Sequence, residues 1–269
     1  MCIRDRLIRT AALELPEGGA MLSSTLEHPA SMSAMKKWAK NTQRSHIIVE
    51  HNDDSGSVDE QAYIKKLTSD VRVVSIVHTS PVTGMTVDLE KITKEVRNVT
   101  PDCIIIVDGI QHSSHGAIDV QKYDIDGYVV SPYKMFSRHG YGVAWASERL
   151  CTLNKEQLAD GPFQNWELGT RDAGSYATFS DVVDYLDWLG SNFTESENTR
   201  ERLEASSIAI KSHEQELVDL VINGAEDIVG LRNNKKIRII GNSASTSREG
   251  VVSFFHKNKP SSIIVEELR

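Results

Sequence analysis

Cys103-Ile104-Ile105-Ile106-Val107-Asp108 is a run of five apolar residues closed by a carboxylate. An apolar run without alternation describes a strand buried on both faces. On its N-terminal side, residues 88–99 place Leu89, Ile92 and Val96 on one helical face, and residues 71–78 form another apolar strand running into a polar turn, residues 79–84. Further back, residues 59–67 predict a helix behind the Asp53-Asp54-Ser55-Gly56-Ser57 turn cluster, residues 47–50 a short strand, and residues 31–40 an amphipathic helix entered near Pro29. On the C-terminal side, Gly127-Tyr128-Val129-Val130 and Gly142-Val143-Ala144-Trp145-Ala146 read as strands, and residues 181–189 as a helix. Residues 198–229 read as a long charge-rich helix with room for one break. Apolar strands alternating with helices predict an α/β fold, a mostly parallel sheet flanked by helices.

The end of the chain changes character. Residues 236–240 and 251–255 predict two strands around a polar turn, and Ile263-Ile264-Val265-Glu266-Glu267-Leu268-Arg269 stops inside what looks like an element. Two strands and a helix are too little to fold alone. The expected organisation is a large domain over residues 1–195, then a linker helix and a partial α+β domain over residues 196–269.

The 269 residues carry 30 Lys and Arg against 38 Asp and Glu, a formal charge of −8. That balance argues against nucleic acid or an anionic membrane as partner, since both need clustered cations. Cys2, Cys103 and Cys151 match neither a disulfide framework nor a zinc spacing, which favours a reducing, cytoplasmic compartment and no metal. No stretch approaches the ~18 apolar residues of a membrane helix, and Met1-Cys2-Ile3-Arg4-Asp5-Arg6 lacks the apolar core of a signal peptide.

Chemistry concentrates at the strand ends. Asp108 stands at the carboxyl end of a parallel strand, the edge where such sheets bind ligands, with Gln111 and His112 just beyond it. Taken alone, Asp108 reads more readily as a helix cap or a turn residue. The strand at residues 127–130 ends in Ser131-Pro132-Tyr133-Lys134, followed by Arg138 and His139, so Lys134 reaches the same edge. A lysine in a partly desolvated cleft becomes a nucleophilic amine. A carboxylate facing such an amine is the pairing that pyridoxal phosphate needs: the lysine forms a Schiff base and the carboxylate keeps the pyridine nitrogen protonated. No G-x-G-x-x-G follows a strand, which disfavours a dinucleotide site.

Asp108-Gly109-Ile110-Gln111, Ile118-Asp119-Val120, Asp126-Gly127-Tyr128 and Ser131-Pro132-Tyr133-Lys134, in that order, resemble the class V aminotransferase family and its cysteine desulfurase-like branch. The resemblance extends over about residues 22–253. It implies a fold type I transferase architecture, pyridoxal 5'-phosphate as cofactor, an amino-acid substrate, and a homodimer with sites at the interface. It implies Lys134 as the Schiff-base lysine, Asp108 as partner of the pyridine nitrogen, and Gln111 as partner of the ring hydroxyl. Glu27-His28-Pro29 is similar to the family's Glu-His segment, so His28 is expected to stack on the ring and to shuttle protons. Ser131 and Tyr133 are expected at the phosphate, and Glu167-Leu168-Gly169-Thr170 is similar to the family's Glu-x-Gly-Thr segment, whose threonine reaches a neighbouring subunit's phosphate.

The chain also departs from the family pattern. Only 26 residues precede Glu27, with no small-residue turn to cradle a phosphate. The C-terminal arginine for a substrate carboxylate and the desulfurase cysteine have no counterpart, and Pro81 stands where the family places an asparagine. The expected chain is therefore truncated at both ends, and the competing expectation is a non-catalytic or inactive fragment of this fold.

Overall fold

The computed structural model describes residues 3–163, 165–169, 172–241 and 247–269. Its centre is a six-stranded sheet formed by β1 (Ala20–Ser24), β2 (Ser45–Val49), β3 (Val71–Val77), β4 (Ile104–Asp108), β5 (Gly127–Val130) and β6 (Val143–Ala146). Their spatial order is β2-β1-β3-β4-β5-β6. The first five strands are parallel, and β6 closes the edge antiparallel to β5. On one face lie α1 (Ile3–Glu14) and α2 (Pro29–Asn41), and the other is covered by α3 (Glu60–Ile64) and α4 (Leu89–Val99).

The apolar run in β4 feeds both cores. Ile104 and Ile106 pack with Leu7, Met21 and Met35, whereas Ile105 and Val107 pack with Ile76, Ile92 and Val96. Alternating side chains point to opposite faces of a strand, so in a sheet covered on both sides residues 104–107 are apolar throughout. Burying each such side chain stabilises the fold by roughly 1.5–3 kcal/mol. Asp88 caps α4 by accepting from the Lys91 N–H at 3.1 Å.

Within the first half of the chain two elements carry no clear signal in the sequence. α1 precedes the first predicted helix, and β1 lies inside the sheet between β2 and β3. All five β1 residues are buried, yet two are serines. Ser23 is satisfied by His46 Nε2 at 2.8 Å, and Ser24 donates to Glu27 at 3.2 Å. A strand whose polar side chains find partners elsewhere in the chain does not look apolar in its sequence.

Beyond β6 come α5 (Glu148–Cys151), α6 (Ala173–Gly190) and α7 (Thr199–Asn223). α7 runs unbroken and stops earlier than predicted, at Gly224, whose φ of +83° suits glycine. A Cβ there would lie 2.1 Å from the Ile228 carbonyl oxygen. Two short antiparallel pairs follow: β7 (Gly224–Ala225) with β8 (Ile228–Val229), and β9 (Ile237–Ile239) with β10 (Phe254–His256). The last element is α8 (Ser261–Glu267). Among the described residues no helix is long and apolar enough to cross a membrane.

Candidate active site

The register pairs Val77 with Asp108 and Asp108 with Val129, so β3, β4 and β5 end at one edge. A cavity of about 200 Å³ opens there, lined by His28, Asp108, Gln111, Ser131, Tyr133 and Lys134 among others. Six of the seven residues to which the resemblance gives a role at the cofactor thus meet at one place. The seventh, Thr170, lies outside the described residues.

Asp108 is only 3% exposed. Its Oδ1 accepts from the Ile110 N–H at 3.2 Å and its Oδ2 from Ser31 Oγ at 3.1 Å, while Arg4 forms an ion pair with the same oxygen. Lys134 ends a single 3-10 turn, Pro132–Lys134, directly after β5. Its Nζ donates to Gln111 Oε1 at 2.8 Å. Partial burial lowers the Lys134 pKa, with Asp108 opposing that shift.

His28 is the N-cap of α2, and its Nδ1 accepts from the Ala30 N–H at 3.1 Å. This leaves the proton of a neutral ring on Nε2. Burial, then Arg4 and Lys134, lower its pKa against an upward pull from Asp108. Tyr133 stacks on His139 with ring centroids 4.3 Å apart. Arg138 pairs with Asp172 at 2.9 Å. Pro81 lines the cavity wall. Neither Cys103 nor Cys151 lines it; burial pushes the Cys103 thiol up to about 11, away from the reactive thiolate.

In the sequence Glu27 stands only as part of the Glu-His segment, yet among the carboxyls at this edge it is the one pushed furthest from its ordinary range. It is buried, accepting from the Val77 N–H at 2.8 Å, Ser75 Oγ at 2.9 Å and Ser24 Oγ at 3.2 Å. Burial, then the nearby Asp108, push its pKa up to about 7. His115, Glu214 and Glu249 also gather behind Gln111. No local pattern marks these partners, because Glu214 and Glu249 enter from distant parts of the chain.

An α/β sheet with a carboxylate and an amine at adjacent strand ends is the arrangement expected of a fold type I transferase. Residues 6–269 match the family model described as aminotransferase class-V, and the chain belongs to that family. Among curated proteins it is similar to the probable cysteine desulfurase 2 of Mycobacterium leprae, 24% identical over 255 residues, covering 88% of this chain and 54% of that protein. The chain thus spans about half the length of that relative. Among solved structures it is similar to the apo cysteine desulfurase of Thermococcus onnurineus NA1, with a TM-score of 0.76, 19% identity, and 98% of this chain covering 64% of that one. It is also similar to C-DES, solved with glycine covalently linked to its PLP cofactor, with a TM-score of 0.67, 15% identity, and 98% of this chain covering 69% of that one.

Proposed function

We propose that this chain is the cofactor-binding part of a pyridoxal-phosphate-dependent enzyme that acts on an amino acid, a transferase or lyase with Lys134 as its Schiff-base lysine. The observation that carries the reading is the shared cavity of the Lys134 amine and the buried Asp108 carboxylate. The donor set fits the cofactor. Asp108 Oδ2 already takes a cationic N–H donor, from Arg4, and a pyridinium N–H is a donor of the same kind. Bound there, the cofactor supplies an electron sink for the substrate α-carbon.

The chain's own residues supply the rest. Ser31 Oγ and the Ile110 N–H hold the Asp108 carboxylate in one orientation. Lys134, shifted toward its neutral form, takes or returns a proton at Nζ. His28, fixed by its bond to Ala30, presents an imidazole at the cavity with its proton on Nε2. Ser131 Oγ and Tyr133 Oη are donors for a phosphate, and Gln111 is a partner for the ring hydroxyl. The assembly proposed is a homodimer, to which exposed aromatic side chains beside the site, Phe136, Tyr185 and Trp188, offer a surface.

The test is a spectrum. Purified protein with added pyridoxal phosphate should develop a visible absorption band that Lys134→Ala abolishes. A colourless parent protein overturns the reading. The competing reading, a non-catalytic protein on this fold, draws on the Arg4 guanidinium already paired with Asp108, and a colourless parent selects it.

A further inference from the structure

The 3-10 turn His112–Ser114 and the residue after it carry two histidines whose acidic partners come from the far end of the chain. His112 Nδ1 meets Glu249, and its ring stacks on His78 with centroids 3.6 Å apart. His115 Nδ1 faces both carboxylate oxygens of Glu214, on α7, at 2.6 and 2.8 Å. On its other side, His115 Nε2 lies 3.1 Å from Gln111 Nε2, and Gln111 Oε1 accepts from Lys134.

With Lys134 charged, only one proton arrangement satisfies this row. The lysine ammonium is a donor without a lone pair, so it needs the Gln111 carbonyl oxygen. The Gln111 amide nitrogen then faces His115 and requires an acceptor, an unprotonated Nε2. The proton of a neutral His115 must therefore sit on Nδ1, where the Glu214 carboxylate receives it. Each donor thus meets an acceptor from Lys134 to α7.

We propose that His115 is a positioning residue: held as its Nδ1–H tautomer by Glu214, it aims the Gln111 carbonyl at Lys134, and the Gln111 carboxamide couples the protonation of His115 to that of Lys134. An imidazolium at His115 has no lone pair on Nε2. Its Nε2–H claims the Gln111 oxygen, the carboxamide turns over, and its NH₂ faces Lys134. A neutral amine accepts that bond and an ammonium does not. A charged His115 therefore goes with a neutral Lys134, and a neutral His115 with a charged Lys134.

The groups facing His115 are Glu214 from α7, Glu249 from the segment after residue 246, Lys134 from the turn after β5, and His112 on its own turn. Burial acts against the charged ring, Glu214 and Glu249 favour it more strongly, Lys134 opposes it, and the net shift is upward. Gly250 packs against the Glu214 carboxylate, where an added Cβ would lie 3.3 Å from its oxygen.

The catalytic weight of this coupling rests on Lys134 being the reactive amine proposed above; the hydrogen-bond order does not. The first measurement needs no substitution and no cofactor: long-range ¹H–¹⁵N correlation of the histidine rings in the purified chain. The expected result is the Nδ1–H tautomer at His115 in its neutral form, and an Nε2–H tautomer overturns the inference. The second measurement is the His115 pKa with and without Lys134→Met, in the parent and in a Gln111→Leu background. Removing the lysine charge raises the pKa through space in both. With Gln111 present the rise should be larger by about one unit, the order of one hydrogen bond. Equal shifts in the two backgrounds overturn the coupling. A chain with the Nδ1–H tautomer but no visible cofactor band removes the functional reading and leaves this one standing. A chain with the band and the other tautomer does the reverse.

Discussion

Glu27 shows how a single side chain ties the sheet edge to solution conditions. Its pKa, pushed up to about 7 from 4.5, lies above that of an unfolded glutamate. The folded chain therefore holds a proton there that the unfolded chain has released. The resulting stabilisation is fully present below pH 4.5 and is lost as pH rises through about 7, on the order of 3 kcal/mol in total. Glu27→Gln keeps acceptor and donor capacity but cannot ionise. Urea unfolding between pH 4 and pH 8 should show the parent losing about 3 kcal/mol relative to this variant. A pH-independent difference between the two contradicts the assignment. Lys134 and Asp108 were legible in the sequence because each follows an apolar strand. Glu27 was not singled out, because its perturbation comes from burial beneath the sheet edge and then from Asp108, neither of which its sequence neighbours report.

At the scale of elements, the crossing of α6 and α7 depends on one small residue. Gly190 ends α6, and a Cβ on it would sit 1.9 Å from the Arg202 carbonyl oxygen of α7. The same Arg202 pairs with Asp187 at 3.3 Å, tying the helices on either side of the contact. Gly190→Ala must move backbone rather than a flexible side-chain tip, and such overpacking costs about 1–3 kcal/mol. The expected outcome is a lowered thermal midpoint; an unchanged midpoint shows that the helices part freely. α4 and β3 to β5 were readable because their apolar periodicities are unbroken. β1 was not, since Ser23 and Ser24 interrupt the run and only their partners His46 and Glu27 permit their burial.

On the scale of the whole molecule, the C-terminal segment is keyed into the site's supporting turn. Arg248 is buried and donates to the carbonyls of Thr83 at 2.9 Å, Val251 at 3.0 Å and Ile240, while Glu249 meets Thr86 and His112. Arg248→Met would leave buried carbonyl oxygens without that donor, at about 1–3 kcal/mol for each one left unsatisfied. Limited proteolysis should then cut residues 236–269 faster while the six-stranded sheet persists; unchanged cleavage denies the anchoring role. The proposed dimer is tested by Trp188→Glu, at a side chain 60% exposed, with sedimentation expected to shift from dimer to monomer. A monomeric parent removes that proposal. By itself the sequence determined the α/β class and the common edge of Asp108 and Lys134, because parallel strands must deliver their carboxyl ends to one side. The tertiary structure alone decided that Glu214 and Glu249 stand behind Gln111, since His115 and Glu214 are 99 residues apart and His112 and Glu249 are 137 apart. Side-chain periodicity reports only what lies within a turn or a strand, whereas a charge is placed by the path of the whole chain.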